Sequence, residues 1–453
     1  MKIVIVGNGK VGFSLAEQLV AEGHDVTVVD IRDKNLTAAS NALDLMVIQG
    51  NGVSTTTLLE AGVDSADLLA ATTSSDEVNM VCCLLAKNLG TKYTVARIRN
   101  PEYTSTVAEL RKNLKIDMVI NPESATAAEI TRLLRFPAAA NIQSFCRGKV
   151  ELMGFRLQEG DFLVGKPLYT LGDNVKKLSL LFCAADRGGE LIIPKGSFVP
   201  QAGDNLYLIG RPEGLDQFFH ILGRYAPKVK KVFILGGGKI TRYLLPLLDE
   251  LGIRAKVIET REDRCRDLNE RFPKVTAICG DGTDQELLES ESMTDYDCFI
   301  ALTNSDEDNF IISQYAQQNK LPKVITKCSR KNYTGIARAV GLDSVISPKS
   351  ITAASILHVV RGLQNSQGSV MNSLHRIING TAEVIEFTVS PNTQNLNIPL
   401  KDLRLKANVL LAVIVRNNQI IIPQGSTFMA QGDRVILIAP SGKILGLDDI
   451  FAV

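Results

Sequence analysis

The sequence predicts an α/β protein in which a doubly wound parallel-sheet domain and a small α+β domain occur in tandem, twice over. Two short β-branched runs end in glycine-rich turns, and the turn at Gly236 lies 229 residues after the turn at Gly7. An acidic residue follows each turn, and Glu259 again lies 229 residues after Asp30. An internal repeat of this size fixes the number of domains before any other argument.

The repeat extends along the whole chain. The segments that return, in pairs, are Thr73 to Asn79 with Thr303 to Asn309, Val119 to Ser124 with Val345 to Ser350, Leu191 to Gly196 with Ile420 to Gly425, and Gly203-Asp204 with Gly432-Asp433. The predicted domains are 1–137, 148–225, 230–363 and 380–453, joined by connectors at Phe136 to Arg147 and Gln364 to Gly380.

Composition excludes several classes of function. Lys and Arg number 50 against 49 Asp and Glu, so a net charge of +1 argues against a nucleic-acid footprint. The longest apolar runs, such as Val409 to Val415, are far shorter than the roughly 20 residues of a membrane helix, and no leader precedes the first strand. We therefore expect a soluble, cytoplasmic chain. Eight scattered cysteines without a C-x-x-C pair indicate buried reduced thiols and no metal site, and the four histidines form no catalytic arrangement.

Alternating strand and helix patterns in the first repeat predict a parallel sheet covered on both faces. The predicted strands are Lys2 to Val6, Asp25 to Asp30, Leu45 to Gln49, Asp67 to Ala71 and Lys92 to Ile98. A glycine-rich turn between the first strand and the following helix is typical of a Rossmann-like dinucleotide-binding unit.

Each glycine of the first turn has a predicted role. Gly7 permits the tight turn, Gly9 lets the backbone approach a pyrophosphate, and Gly12 lets the helix pack closely on the strand. Asp30 is placed to accept hydrogen bonds from ribose hydroxyls, which favours NAD(H) or an adenine nucleotide over NADP. Arg32 leaves the alternative open, because a nearby arginine accommodates a 2′-phosphate.

The second turn departs from this pattern. Thr241 stands where the third glycine belongs, so we expect it to hold the helix slightly away from the strand and to alter the phosphate site. Glu259 reaches one methylene farther than Asp30, which compensates for a displaced sugar or marks a different ligand preference.

Further candidates lie at the carboxyl ends of the strands, where open parallel sheets bind ligands. Thr72, Thr73 and Ser74 follow the fourth strand, although a turn with a helix cap at Ser74 or Ser75 explains them equally well. Arg97 ends the fifth strand and has Lys327 as its counterpart. Arg97 has three alternative roles: it contacts a phosphate, it contacts a partner subunit, or it is a solvated charge at the rim. Asn51 and Asp281 follow the third strand of their repeats, near the expected adenine edge.

The small domains contain short alternating strands, such as Glu151 to Leu157 and Asn205 to Ile209, and their Gly-Asp pairs predict turns that lead into the last strand. Nothing in them resembles a catalytic dyad or a metal site. They look like dimerisation or sensing units.

Two glycine-turn units, each followed by a small domain with the I-I-P-x-G and G-D pattern, resemble tandem RCK domains, the regulators of potassium conductance. The doubling within one chain resembles the regulatory chains of bacterial Trk-type potassium uptake systems. This resemblance implies a cytoplasmic ring, commonly of four chains, beneath a TrkH-type membrane potassium channel subunit at the inner membrane. The ring would control potassium flux in response to NAD(H) and adenine nucleotides such as ATP or ADP.

The resemblance also implies the residues of both sites. For the first site they are Gly7, Asn8, Gly9, Lys10, Val11, Asp30, Thr73, Ser74 and Arg97, and for the second they are Gly236, Gly237, Gly238, Lys239, Ile240, Glu259, Thr303 and Asn304.

The competing hypothesis is an NAD-dependent oxidoreductase. Hydride transfer needs a proton donor or base beside the nicotinamide ring, and none of the four histidines lies on a recognisable rim segment. A third hypothesis is a redox-sensing DNA repressor. The sequence does not contain the basic recognition helix that such a repressor needs.

Overall fold

The structure, a computed structural model of the chain, describes all residues except 104–105, 137–138, 140, 225–227, 331–332, 334, 338–339, 343, 365–368, 443 and 453. Three predicted domain ends, at 137, 225 and 453, lie outside the described residues. The chain forms two compact units, one of residues 1–131 and 229–357 and the other of residues 132–228 and 358–453. Within the described residues, no helix has both the length and the apolar character needed to cross a membrane.

The chain begins with a parallel sheet of short, buried, β-branched strands. They are β1 (Lys2–Val6), β2 (Asp25–Asp30), β3 (Met46–Gln49), β4 (Leu68–Ala71), β5 (Tyr93–Arg97) and β6 (Met118–Ile120). Their order is β3-β2-β1-β4-β5-β6, the doubly wound order of the Rossmann fold. The chain changes direction across the sheet between β1 and β4, so a crevice opens at the carboxyl ends of these strands.

Helices cross over between these strands. They are α1 (Lys10–Ala21), α2 (Asp33–Ala42), α3 (Thr55–Glu60), α4 (Asp76–Leu89), α5 (Val107–Asn113) and α6 (Pro122–Arg135). In α1, Val11, Leu15 and Leu19 recur at helical spacing and are buried. The alternation of buried strands and amphipathic helices confirms the predicted fold class for this repeat.

An antiparallel sheet follows. Its strands are β7 (Asn141–Phe145), β8 (Val150–Arg156), β9 (Leu180–Arg187), β10 (Glu190–Ile192) and β11 (Asn205–Gly210), in the order β10-β9-β11-β8-β7. Its helices are α7 (Asp173–Lys176) and α8 (Pro212–Ile221). The predicted turn at Gly203-Asp204 leads directly into β11.

The second parallel sheet repeats the first. Its strands are β12 (Lys231–Leu235), β13 (Arg254–Glu259), β14 (Thr276–Cys279), β15 (Cys298–Ala301), β16 (Lys323–Lys327) and β17 (Ser344–Ile346), in the order β14-β13-β12-β15-β16-β17. Its described helices are α9 (Lys239–Glu250), α10 (Glu262–Arg271), α11 (Gln285–Ser290), α12 (Asp306–Gln318) and α13 (Pro348–Gln364).

The second antiparallel sheet completes the chain. Its strands are β18 (Val370–Ile377), β19 (Ala382–Thr388), β20 (Leu410–Arg416), β21 (Gln419–Ile421) and β22 (Arg434–Pro440), in the order β18-β19-β22-β20-β21. The predicted turn at Gly432-Asp433 leads directly into β22.

The prediction of connectors was wrong for two segments. Phe136 to Arg147 contains β7, and Gln364 to Gly380 contains β18. Both are edge strands that pair antiparallel with the next strand of their sheet, and their mixture of polar and apolar residues reflects this half-exposed position.

The two antiparallel sheets share one hydrophobic core. Phe145, Leu152 and Ile209 of the first sheet lie in the same buried cluster as Val384 and Ile436 of the second. The small domains of one chain therefore pack against each other.

The repeated Gly-Asp pairs have a second role besides the turn. The carboxylate of Asp204 accepts two hydrogen bonds from the Arg187 guanidinium, at 2.9 and 2.7 Å. Asp433 and Arg416 repeat this arrangement at 2.8 and 2.8 Å. Both carboxylates are buried, so each bidentate pair fixes the end of the hairpin that precedes the last strand.

One buried glutamate differs between the small domains. Glu383 lies fully buried in an ion pair with Arg361, at 2.7 Å, and also contacts Arg376. Its counterpart Glu151 has a buried Oε2 atom that finds no hydrogen-bond partner among the described residues. Burial raises the pKa of Glu151 to about 7, an effect that the nearby charge of Arg135 partly offsets.

Candidate functional site

The first glycine turn joins β1 to α1 and is held by close backbone contacts. Gly7 has a φ of +96°, a conformation that favours glycine. A Cβ on Gly12 would lie 2.0 Å from the Gly7 carbonyl oxygen, so the close approach of helix and turn requires glycine there too. A Cβ on Gly9 would meet nothing within 4 Å, so the backbone at Gly9 faces open space.

The start of α1 leaves its backbone N–H groups open. Gly9 is the N-cap and has no side chain with which to cap the first turn, which contains Lys10 and Val11. The second repeat has the same arrangement, with Gly238 as the N-cap of α9 before Lys239 and Ile240. Uncapped N–H groups at a helix N-terminus carry partial positive charge and attract anions. Both helices therefore present the chemistry that a phosphate needs.

Asp30 ends β2 and contacts the first glycine turn. Its Oδ2 accepts hydrogen bonds from the Asn8 backbone N–H at 2.6 Å and from the Asn35 side chain at 3.1 Å. Its Oδ1 accepts one from the Arg32 N–H at 2.9 Å. The Arg32 side chain is largely exposed, with its Nε 3.7 Å from the Asp30 carboxylate. Strand end and glycine turn are thus fixed to each other through one carboxylate.

Glu259 takes the same position in the second repeat but has more donors around it. Its Oε2 accepts from the Gly237 N–H at 2.8 Å and from Arg264 at 3.5 Å. Its Oε1 accepts from the Arg261 N–H at 3.1 Å and from the Thr260 hydroxyl at 3.2 Å. The longer side chain contacts the backbone of the turn, and its oxygens accept more hydrogen bonds than those of Asp30.

A hydroxyl group satisfies the carbonyl of the first glycine in both repeats, but it comes from different elements. In the first repeat, Thr72 after β4 donates to the Gly7 carbonyl oxygen at 2.8 Å. In the second repeat Leu302 follows the equivalent strand, and Thr241 in α9 donates to the Gly236 carbonyl oxygen at 2.5 Å. Thr241 therefore replaces the function of Thr72. The predicted displacement of the helix stays a prediction.

The segment after β4 is held by an asparagine whose role was missed in the sequence. Asn79, fully buried in α4, accepts from the Thr73 N–H at 2.9 Å and donates to the Arg97 carbonyl oxygen at 2.8 Å. It joins the ends of β4 and β5. Ser75 is the N-cap of α4 and accepts from the Val78 N–H, so the cap interpretation holds for Ser75. Ser74 is exposed.

The second repeat contains the same network. Asn309 accepts from the Thr303 N–H at 2.8 Å and donates to the Lys327 carbonyl oxygen at 3.1 Å, while Asn304 is exposed. The signal was present in the sequence, because Asn79 and Asn309 recur with the segments that begin at Thr73 and Thr303.

Arg97 is not a solvated rim charge. Its guanidinium lies 3.7 Å from the Glu123 carboxylate, and both side chains are mostly buried. Burial lowers the pKa of Arg97. Its counterpart Lys327 donates to the Thr303 carbonyl oxygen at 2.7 Å, and burial lowers its pKa as well.

Asn51 and Asp281 form local turns. The Asn51 side chain accepts from the Val53 N–H at 3.2 Å, and Asp281 accepts from the Thr283 N–H and hydroxyl at 2.9 and 2.8 Å. These bonds lower the pKa of Asp281. The bonds of Asn51 and Asp281 therefore stay within their own turns, whereas the glycine turns, strand-end acids and rim segments contact each other.

The two parallel-sheet domains meet close to these sites. Tyr243 in α9 donates to the Arg99 carbonyl oxygen at 3.2 Å and accepts from the Asn121 side chain at 2.8 Å. The second glycine-turn helix is thus hydrogen-bonded to the rim of the first domain.

Two lysines beside the glycine turns affect the pKa of groups in the opposite parallel-sheet domain. The positive charge of Lys10, at the start of α1, contributes to the lowered pKa of Lys327 in the second domain. A hydrogen bond from Tyr103 lowers the pKa of Glu77 to about 2, and the charge of Lys239 in the second domain adds a smaller effect. Each glycine turn therefore lies within electrostatic reach of the other domain.

Family models match most of the chain. The TrkA-N domain matches residues 3–122 and 232–348, and the TrkA-C domain matches residues 152–223 and 384–452. The Trk system potassium uptake protein TrkA of Haemophilus influenzae is 32% identical over 449 residues, which cover 98% of this chain and 96% of that protein. The Trk system potassium uptake protein TrkA homolog of Archaeoglobus fulgidus is 33% identical over 451 residues and 100% of both chains.

Solved structures share the fold at lower identity. The GsuK RCK domain has a TM-score of 0.64 and 19% identity, covering 97% of this chain and 92% of that chain. The GsuK channel bound to NAD has a TM-score of 0.63 and 20% identity, covering 97% and 76%. Because the family models account for most of the sequence and relatives above 30% identity match it from end to end, the chain belongs to the TrkA family of Trk system potassium uptake proteins.

Proposed function

We propose that the chain is a nucleotide-sensing regulatory subunit of a Trk-type potassium uptake system, with a site for NAD(H) or adenine nucleotides at each glycine turn. The observation that carries this proposal is the doubled arrangement in which a strand-end acid accepts from the glycine-turn backbone beside an uncapped helix N-terminus. Membership of a potassium uptake family makes the chain a transport regulator and not an enzyme, so the oxidoreductase hypothesis is set aside.

The residues present fit a nucleotide. The open N–H groups at Gly9 and Gly238 would bind the phosphates, and Asp30 and Glu259 would accept from ribose hydroxyls. Asp30 disfavours a 2′-phosphate, but the exposed Arg32 beside it leaves room for one, so NADP is a competitor to include in any binding test.

The two sites differ in what remains free. A carboxylate offers about four acceptor positions. Three are used at Asp30, and Oδ1 keeps one for a ribose hydroxyl. All four are used at Glu259, so a ligand there must displace the Thr260 hydroxyl or the Arg264 guanidinium. We therefore assign the stronger ribose contact to the first site.

Nucleotide binding at one turn reaches the other domain through the contacts between them. Phosphates at the start of α9 would act on the helix that carries Tyr243, whose hydroxyl is bonded to the rim of the first domain. A ligand shifts a conformational equilibrium only by its difference in affinity for the two states, and a tenfold preference supplies about 1.4 kcal/mol per site. Several sites in one ring would therefore control gating strongly.

The assembly we propose is a ring of chains, a tetramer by resemblance to its family, which docks on a TrkH-type membrane potassium channel subunit. This would place the chain in the cytoplasm at the inner membrane surface. Support comes from the names of the relatives, which are Trk system potassium uptake proteins, and from GsuK, a channel whose structures were solved with NAD and with ADP.

The test is potassium flux through the reconstituted membrane subunit, with and without this chain, across NADH, NAD, ATP and ADP. We expect the chain to change flux and at least one nucleotide to modulate that change. Calorimetric titration of the chain alone should give two sites. An Asp30→Asn, Glu259→Gln double variant is the matched control, which should still assemble but lose the nucleotide response. No nucleotide affinity in the wild-type chain, or flux indifferent to the chain, would refute the proposal.

A further inference from the structure

Two thiols contact the backbone of Glu259 and Thr260, and the Glu259 carboxylate accepts a hydrogen bond from the second glycine turn. Cys265 in α10 donates from its Sγ to the Glu259 carbonyl oxygen at 3.3 Å, and Cys279 at the end of β14 donates to the Thr260 carbonyl oxygen at 3.7 Å. The two sulfurs thus hydrogen-bond to the backbone carbonyls of consecutive residues. Burial raises the pKa of Cys265, and the charge of the neighbouring Cys279 adds to this rise, so the two thiols lie within electrostatic reach of each other.

Solvent reaches one member of the pair. All eight cysteines lie within the described residues, where they are free thiols, and Cys279 is exposed while the other seven are buried. Among the described residues, no group of three His, Cys, Asp or Glu side chains is arranged to hold a metal ion. The pair therefore has the form of an accessible thiol with a buried partner, which is typical of redox-sensitive cysteines.

The pair occurs in the second repeat alone. In the first repeat, Gln49 ends the strand that pairs with β2 and stands opposite Asp30, just as Cys279 stands opposite Glu259. Leu36 is the fourth residue of α2, as Cys265 is of α10. A thiol-based control would act on the second site and leave the first unchanged.

We propose that Cys265 and Cys279 form a reversible disulfide that weakens nucleotide binding at the second site. The exposed Cys279 thiolate attacks a low-molecular-weight disulfide, RSSR, forming a mixed disulfide and releasing one RS⁻. The Cys265 sulfur then attacks the Cys279 sulfur, the mixed disulfide breaks, and the second RS⁻ leaves. The two protein thiols lose two electrons and two protons, and RSSR becomes two RSH. The effect on the second site rests on the proposed nucleotide function, whereas the disulfide chemistry does not.

The disulfide would change the surroundings of Glu259. It removes the two S–H donors from the carbonyls of Glu259 and Thr260 and ties α10 to the end of β14. Arg264, next to Cys265 on the same helix, contacts the Glu259 carboxylate. A shift of α10 toward β14 therefore moves Arg264 relative to the Glu259 carboxylate that would receive the ribose.

The second step of the exchange should be the slow one. Burial raises the pKa of Cys265 to about 11, and the neighbouring Cys279 adds to this rise. The attacking thiolate is then a small fraction at neutral pH, and its fraction grows roughly tenfold per pH unit below the pKa. The mixed disulfide on Cys279 should form first and convert to the cross-link faster at pH 9 than at pH 7.

The experiment uses the full chain with Asp30→Asn, which isolates the second site. Oxidised glutathione is added, peptide mass spectrometry follows the cross-link, and calorimetry gives NADH affinity before and after oxidation. We expect a Cys265–Cys279 peptide, an affinity weakened about fivefold or more, and recovery with dithiothreitol. The Cys279→Ser variant, which can form neither the mixed disulfide nor the cross-link, should bind NADH equally before and after oxidation. The Cys265→Ser variant should form only the glutathione adduct on Cys279, which dithiothreitol removes.

Three results separate the possible failures. A stable glutathione adduct on Cys279 without a cross-link overturns the disulfide. A cross-link with unchanged second-site affinity overturns the regulatory effect. A reduced chain without second-site affinity overturns the proposed nucleotide function, and the mass spectrum then still decides whether the disulfide forms.

Discussion

The Asp30→Asn substitution tests the first site most directly. In the structure, one acceptor position on Oδ1 remains after the bonds from Asn8, Arg32 and Asn35. A hydrogen bond from a ribose hydroxyl to this charged oxygen contributes about 2 kcal/mol. Asparagine keeps the volume but removes the charge and replaces one oxygen with a donor. We therefore expect NADH affinity at the first site to fall roughly 30-fold.

The assay is isothermal titration of NADH into wild-type, Asp30→Asn and Asp25→Asn chains. Asp25 is the matched control, because it is an exposed aspartate at the opposite end of the same strand. Circular dichroism at the titration temperature verifies that each variant is folded. A first-site affinity within twofold of wild type in the folded Asp30→Asn chain would refute the role of this carboxylate, as would an equal loss in Asp25→Asn.

Three further changes have expected outcomes. Thr260→Val removes a hydroxyl donor from Glu259 and frees an acceptor, so titration should show second-site affinity rising about fivefold. Tyr243→Phe breaks the bridge between the parallel-sheet domains, so denaturant unfolding should show a loss of about 1 kcal/mol, and first-site ligand should alter second-site affinity less. The raised pKa of Glu151 means that the folded state holds its proton more tightly, so the stability from the protonated side chain is fully present below pH 4.5 and is lost as pH rises through about 7. Glu151→Gln should therefore match wild type below pH 4.5 and exceed its stability by about 2 kcal/mol at pH 8, whereas Glu383→Gln should destabilise the chain at both pH values.

The strands that are encoded by neighbouring residues were predicted correctly from the sequence. Strands β1 and β2 have the predicted bounds, because a buried β-branched run followed by a turn is readable from adjacent residues. The motif spacing predicts the position of Asp30 at the end of β2, whereas its hydrogen bond from the Asn8 N–H in the glycine turn is seen only in the structure. Phe136 to Arg147 was assigned to a connector because the polar residues of an edge strand weaken the alternating pattern.

Other parts of the site depend on which strands become neighbours. Asn79 acts only because β4 and β5 lie side by side, so its role could not be derived from its own segment. The exchange of Thr72 for Thr241 as the hydroxyl donor requires knowing that two distant positions face one carbonyl group. The buried state of Arg97 depends on Glu123, which arrives from the next strand–helix connection.

The core shared by the two small domains has an evolutionary consequence. Separate single-repeat chains that paired through identical small domains would carry identical ligand sites, and one substitution would alter both. Here both halves belong to one polypeptide, so they occur one to one, and Phe145 of one half packs in the same cluster as Val384 of the other. Each half can therefore carry its own substitutions, such as Thr241, Cys265 and Cys279 of the second repeat, without altering the other site.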